Sequence, residues 1–293
     1  MNRIRPIRST LFLFTWLTCI GALAADASLE QGLLFEVRSQ AEKPNYLFGT
    51  IHSEDERVLN LPEPVLSAFD KSQSFVMEVI PDPQALRQAS LTMAYSDGRS
   101  LAEVVGQARF REIVEAVKSR GVSEDVIRDF KPWAVVTILS LPQPKTGEFL
   151  DINLYKRALA AGKSVHGIET VNEQLAVFDD LSESDQVALL NQTLEVLDQL
   201  PEVHERLLEA YLKRDLAELS RLVKEYMRVA DSAIEKRFKA AVLDARHVRM
   251  AERIFPYLEQ GGHFVAVGAL HLTGQDGILA RLQAQGYEVR RLY

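Results

Sequence analysis

The chain has 293 residues, 47% of them hydrophobic, with 34 Lys and Arg against 41 Asp and Glu and a formal net charge of −7. That acidic balance argues against nucleic acid or an anionic membrane surface as a partner, while the apolar fraction is ample for a packed core. A single cysteine excludes an internal disulfide framework.

Taken in chain order, residues 1–24 read as a secretory signal peptide. Arg3, Arg5 and Arg8 precede an apolar run at 11–23, and Ala22-Leu23-Ala24 suits cleavage after Ala24. The run is too short for a transmembrane span, and Trp16-Leu17-Thr18 before Cys19 is a poor lipoprotein signal. Cleavage removes three arginines and the one cysteine, shifts the net charge to −10 and leaves 269 residues. The expected product is periplasmic or secreted, has no thiol chemistry and contains no later segment apolar enough to cross a bilayer.

Strands are expected at 33–38, 45–48 and 74–80, with a short helix at 62–71 between the second and third. Helical patterns follow at 83–95, 101–105 and 108–120, with a short one after Ser123. The segment 132–141 is apolar nearly all round, as a buried helix would be. A helix at 147–161 and a strand at 164–168 come next. From 171 to 258 the period is helical almost throughout, with breaks at 179–184, 200–201 and 214–215. The chain ends with a strand at 263–267, a helix at 275–285 and a strand at 288–292. Strands near both ends with helices between predict an α/β fold, with one central mixed sheet built from both termini. The helical region at about 171–258 is then an insertion or a cap over the sheet's C-terminal edge.

Two of the expected strands end in Gly-x-x-His: Tyr46-Leu47-Phe48-Gly49-Thr50-Ile51-His52 and Phe264-Val265-Ala266-Val267-Gly268-Ala269-Leu270-His271. Ligands of open α/β sheets bind beyond the strand C-termini, so His52 and His271 are candidates for one crevice. Imidazole binds divalent cations and moves protons near neutral pH. The plainer reading is two neutral, hydrogen-bonded histidines beside turns.

Glu78 sits within Phe75-Val76-Met77-Glu78-Val79, a run that otherwise reads as a fully buried strand, where a carboxylate is costly unless it pairs or binds metal; a solvated, open strand end is the alternative. Glu169, after His166-Gly167-Ile168, reads as a fourth ligand, a general base or a helix N-terminal carboxylate. Arg246 and His247 lie on a late helix whose inward face carries Leu243, His247, Met250 and Ile254. Either reaches the crevice, or Arg246 is solvated and His247 a satisfied core residue. His166 and His263 read as structural and His204 as solvated. The chain has no His-Glu-x-x-His, Gly-x-Ser-x-Gly, P-loop or Gly-x-Gly-x-x-Gly, which disfavours zincins, serine hydrolases, P-loop nucleotidases and dinucleotide enzymes.

These blocks together resemble the TraB/GumN (TraB/PrgY/GumN) family, related to the animal Tiki proteases. The resemblance rests on the two Gly-x-x-His segments, Leu61-Pro62, Glu78, Lys131-Pro132-Trp133, the run from Gly162 to Thr170 with Glu173-Gln174, and Gly286-Tyr287-Glu288-Val289. It covers about residues 33–293 and implies one domain over 25–293, with a fold shared with erythromycin-esterase-like and ChaN-like proteins. It implies that His52, Glu78 and His271 are site residues and, from the Tiki branch, a divalent-metal-dependent peptidase. One departure stands out: relatives carry Arg-Asn where this chain has Arg246-His247, which opens the option of an extra ligand.

The expected function is an exported metal-dependent hydrolase, a peptidase, acting on a peptide or small-molecule substrate. His52, His271 and Glu78 would hold Mn, Co, Fe or Zn. Glu169 would be base or extra ligand, and Arg246 would stabilise negative charge on oxygen. The alternative is a protein that binds or sequesters a peptide or small ligand without turnover.

Overall fold

A computed structural model of the chain describes residues 27–226, 236–237 and 239–293. The predicted signal peptide and the 227–235 stretch of the expected helical region lie outside the described residues. The described strands are β1 (Leu34–Arg38), β2 (Asn45–Thr50), β3 (Ser74–Met77), β4 (Ser164–Gly167), β5 (His263–Gly268) and β6 (Glu288–Arg291). They form one mixed sheet in the order β4-β3-β5-β2-β1-β6. Strands β2 to β5 run parallel, whereas β1 is antiparallel to both β2 and β6.

Strand β5, the last but one, fills the slot between β2 and β3, pairing Gly49 with Val267 and Phe75 with Phe264. A strand with a parallel neighbour on each side is covered on both faces, which explains the unbroken apolar runs of β2 and β5. All four parallel strands therefore end at the same edge of the sheet.

The third strand is shorter than the expected 74–80. It stops at Met77, and Pro81, which has no N–H to pair, lies in the departing segment. Asp82 then caps the next helix by accepting from the Ala85 N–H at 2.7 Å. Two further backbone bonds keep the strand ends together: Ile168 N–H to Met77 O at 2.9 Å and Glu169 N–H to Glu78 O at 2.7 Å.

The helices are α1 (Glu56–Leu59), α2 (Glu63–Lys71), α3 (Pro83–Met93), α4 (Leu101–Val105), α5 (Gln107–Lys118), α6 (Glu124–Ile127), α7 (Pro132–Ser140), α8 (Leu150–Ala160), α9 (Val171–Asp179), α10 (Glu183–Glu195), α11 (Leu200–Leu212), α12 (Leu216–Tyr226), α13 (Ala245–Gln260) and α14 (Ile278–Ala284). A π-helical turn, Ala240–Asp244, leads into α13. Helix α1 had no expected counterpart. Against β2, β3, β4 and β5 pack α2, α8 and α13, forming the main core around Phe35, Phe48, Phe69, Phe75 and Phe264. A second apolar cluster joins α4 to α7 with α10 around Leu101, Ile113, Val135 and Leu190. The predicted buried helix is α7. Its Trp133 indole N–H donates to Asp179 at 2.8 Å and Lys131 pairs with the same carboxylate, tying α7 to the end of α9.

Candidate active site

The ends of β2, β3, β4 and β5 converge, and glycine is what lets them. A Cβ on Gly49 would lie 2.8 Å from the Leu272 side chain and 3.1 Å from the Ala269 Cα. One on Gly268 would lie 3.3 Å from Glu78 Oε1. Each Gly-x-x-His glycine therefore marks a close approach: the first to the turn after β5, the second to the β3 carboxylate. The Tyr211 hydroxyl, on α11, donates to Gly49 O at 2.9 Å and draws that helix over the β2 end.

Glu78 sits just past β3, and both of its carboxylate oxygens accept hydrogen bonds, Oε1 a single one. Its Oε1 accepts from the Gly268 N–H at 2.7 Å. Its Oε2 accepts from Gln174 Nε2 at 2.8 Å and from Arg246 Nη2 at 2.8 Å. His271 Nε2 lies 3.8 Å from Glu78 Oε1, at ion-pair rather than hydrogen-bond distance. Burial pushes the His271 pKa below the ordinary imidazole range, although Glu78 pulls it upward.

Glu169, just past β4, has a fully buried side chain. Arg246 Nη2 donates to it at 2.6 Å and Arg249 Nη2 at 2.7 Å. Arg246 thus bridges Glu169 and Glu78. Burial works against its charge, yet the two carboxylates hold its pKa above the usual arginine value. One turn further along α13, Arg253 donates to Ile168 O at 2.8 Å and to Glu173 at 2.6 Å.

His52 is placed differently. Its side chain is 47% exposed, and its Nδ1 lies 3.6 Å from Asp151 Oδ2. Its ring stacks on Phe149 with centroids 3.8 Å apart. Asp151 also accepts from Thr50 Oγ1 at 2.6 Å. His52, Arg246 and His271 all line one cavity of about 290 Å³, whose other walls are mainly apolar, among them Leu207, Val223 and Leu270.

His247 and His271 meet edge to face, with centroids 5.1 Å apart. Burial, and then the neighbouring imidazole, hold the His247 pKa down to about 4. The remaining histidines lie elsewhere. His263 hydrogen-bonds Ser74 through Nδ1, and His166 packs against Tyr257. His204 is not solvated as expected: its Nε2 meets Ser140 O at 2.8 Å and the ring is half-buried.

A family model described as TraB/PrgY/gumN family matches residues 33–291. The chain belongs to the TraB/PrgY/gumN family. Among relatives of this TraB/PrgY/gumN member, metalloprotease TIKI1 of Danio rerio is 25% identical over 85% of the chain and 61% of its own length. Metalloprotease TIKI1 of Homo sapiens is 24% identical over 85% of the chain and 60% of its own length. An uncharacterized protein of Treponema pallidum is 20% identical over 92% of the chain and 86% of its own length. The chain thus spans about three fifths of the Tiki proteins it matches. No solved structure matches it significantly.

The metalloprotease relatives imply a divalent metal, and the side chains present allow a test of fit. Buried imidazole nitrogens without a hydrogen-bond partner, on His271 (Nδ1) and His247, are the donors such an ion takes, and the Glu78 carboxylate stands 3.8 Å from the other nitrogen of His271. The chemistry of the donors therefore fits. Among the described residues, however, no three His, Cys, Asp or Glu side chains stand together as a ready metal site.

Asp151, Phe149, Gln174, Arg249 and Arg253 were given no role from the sequence. The arginines had a signal: 246, 249 and 253 recur at helical spacing along one face of α13. Asp151 and Phe149 had none, because they reach His52 only through the chain's return at the start of α8.

Proposed function

We propose that this protein is an exported, divalent-metal-dependent hydrolase that cleaves peptides. In this reading His52, His271 and Glu78 hold the cation. A bound divalent ion supplies a Lewis acid for the scissile carbonyl and lowers the pKa of a water. Arg246, fixed by Glu169, faces the cavity and stabilises negative charge growing on the substrate oxygen. Gln174 and the Gly268 N–H orient Glu78, and the apolar walls hold substrate and exclude water. The signal peptide at 1–24 would deliver the protein to the periplasm or beyond, which N-terminal sequencing of the exported product checks.

The observation that carries this reading is one cavity receiving His52, Arg246 and His271 from three different elements, with Glu78 against His271. The test loads the purified chain with manganese, cobalt, iron or zinc in turn and offers a mixed peptide library. One cation per chain and new peptide termini are expected. His52→Ala and His271→Ala should lose the metal, and Glu78→Gln the cleavage.

A second reading, binding without turnover, is favoured by the lack of a ready three-ligand cluster among the described residues and by the apolar cavity walls. Saturable peptide binding with no new termini in every loaded form would establish it over hydrolysis.

A further inference from the structure

We propose that His247 and His271 are two ligands of one divalent transition-metal ion, so that the late-helix histidine completes a bis-imidazole site. This rests on the metal of the reading above but not on its peptide chemistry.

Both side chains are about 5% exposed. Among the described residues, Nδ1 and Nε2 of His247 and Nδ1 of His271 are buried with no hydrogen-bond partner. A neutral imidazole carries one donor and one acceptor, and protein interiors normally satisfy both. Unsatisfied nitrogens on two adjacent rings are therefore an anomaly, and a shared ion would take one nitrogen from each ring.

The separation suits that ligand. Two imidazoles bound about 2.1 Å from one tetrahedral cation have ring centres roughly 5 Å apart, and these rings are 5.1 Å apart at 90°. The pair also stands where an ion can arrive. His271 lines the 290 Å³ cavity and His247 an adjoining one of about 420 Å³, and the two cavities share Val223, Leu243 and Leu270 as walls. Glu78 Oε1 stands 3.8 Å from the other ring nitrogen of His271, Nε2, where a carboxylate orients a metal-binding imidazole. With His247 and His271 as two ligands, the ion keeps positions for a further protein ligand, water or substrate. Imidazole donors favour zinc, cobalt, nickel or copper over calcium or magnesium.

The test uses copper(II) as a spectroscopic probe, because pulsed electron paramagnetic resonance counts coordinated imidazoles without any activity assay. Cobalt(II) equilibrium dialysis gives the affinity. The wild-type chain, His247→Asn, His247→Gln and His52→Ala are compared, each first checked by circular dichroism in the metal-free state. We expect at least two imidazoles in wild type, one fewer in His247→Asn, and cobalt binding weakened at least about tenfold, since losing even an outer-shell partner of a ligand costs 10–100-fold. Should His247→Asn not fold, His247→Gln takes its place, and two imidazoles persisting in His52→Ala still support the pair.

An unchanged imidazole count and affinity in the His247 variants, with one imidazole lost in His52→Ala, overturns this proposal while leaving the hydrolase reading standing. The converse supports it and removes His52 from the ligand set. No binding in wild type overturns both.

Discussion

Glu169 shows how one residue's role can be separated from its neighbours'. Its carboxylate is fully buried and accepts from two guanidinium groups. A general base must present a free lone pair to water or substrate, and here Arg246 and Arg249 occupy those positions. The residue therefore acts as the anion that holds Arg246 against Glu78. Isosteric Glu169→Gln distinguishes the roles. Removing one partner of a buried ion pair costs about 3–5 kcal/mol. Here the loss should be smaller, roughly 2–3 kcal/mol, because Arg246 keeps Glu78 and Arg249 is 29% exposed. A fall of that size in unfolding free energy, read from urea titrations as the midpoint shift multiplied by the slope, is the expected result. A variant that loses turnover with an unchanged unfolding curve would instead make Glu169 a base.

At the scale of elements, the decisive contact is between the two Gly-x-x-His turns. Gly49→Ala should be tolerated by its own backbone, since it has no positive φ, yet its methyl would press on Leu272 and on the Ala269 backbone. Overpacking of this kind costs about 1–3 kcal/mol. The β2 and β5 ends should move apart, and metal affinity should fall with stability. Paired thermal melts and cobalt titrations of Gly49→Ala would show this, whereas lost stability with unaltered metal binding would mean the two turns are not coupled. Much of this layer was legible in the sequence. The apolar runs located the strands, and the breaks at 179–184, 200–201 and 214–215 correspond to the ends of α9, α11's start and the α11–α12 turn. Strand-end position put His52, Glu169 and His271 on one edge of the sheet, whereas Glu78 was expected inside a strand at 74–80 and reaches that edge because β3 stops at Met77. Helix α1 was not legible, because four residues carry no period and an Asp55 cap, rather than a pattern, holds them. The surroundings of His52 were hidden for a related reason: Phe149 and Asp151 are brought to it by tertiary return, which leaves no trace in local spacing.

For the molecule as a whole, two effects of acid oppose each other. The formal charge is −7 at pH 7, so mild acidification reduces self-repulsion and by itself would stabilise the fold. The buried histidines act the other way. Burial lowers the pKa of His204, His263 and His271, and takes His247 to about 4. Unfolded, each returns toward 6.5. Between those values the unfolded chain binds more protons than the folded one, so stability rises with pH and is lost as pH falls from about 6.5. His247 alone spans a window worth on the order of 3 kcal/mol. Glu173, held down to about 2 chiefly by Arg253, extends the same trend below pH 4.5, discounted because its side chain is 31% exposed and its partner 42%. The metal-free protein should therefore weaken steadily from pH 7 to pH 4.5. His247→Asn should flatten the slope by up to one proton, about 1.4 kcal/mol per pH unit. Urea midpoints across that range decide it: a stability maximum between pH 5 and 6 in wild type would mean that surface charge, not the buried imidazoles, governs the response.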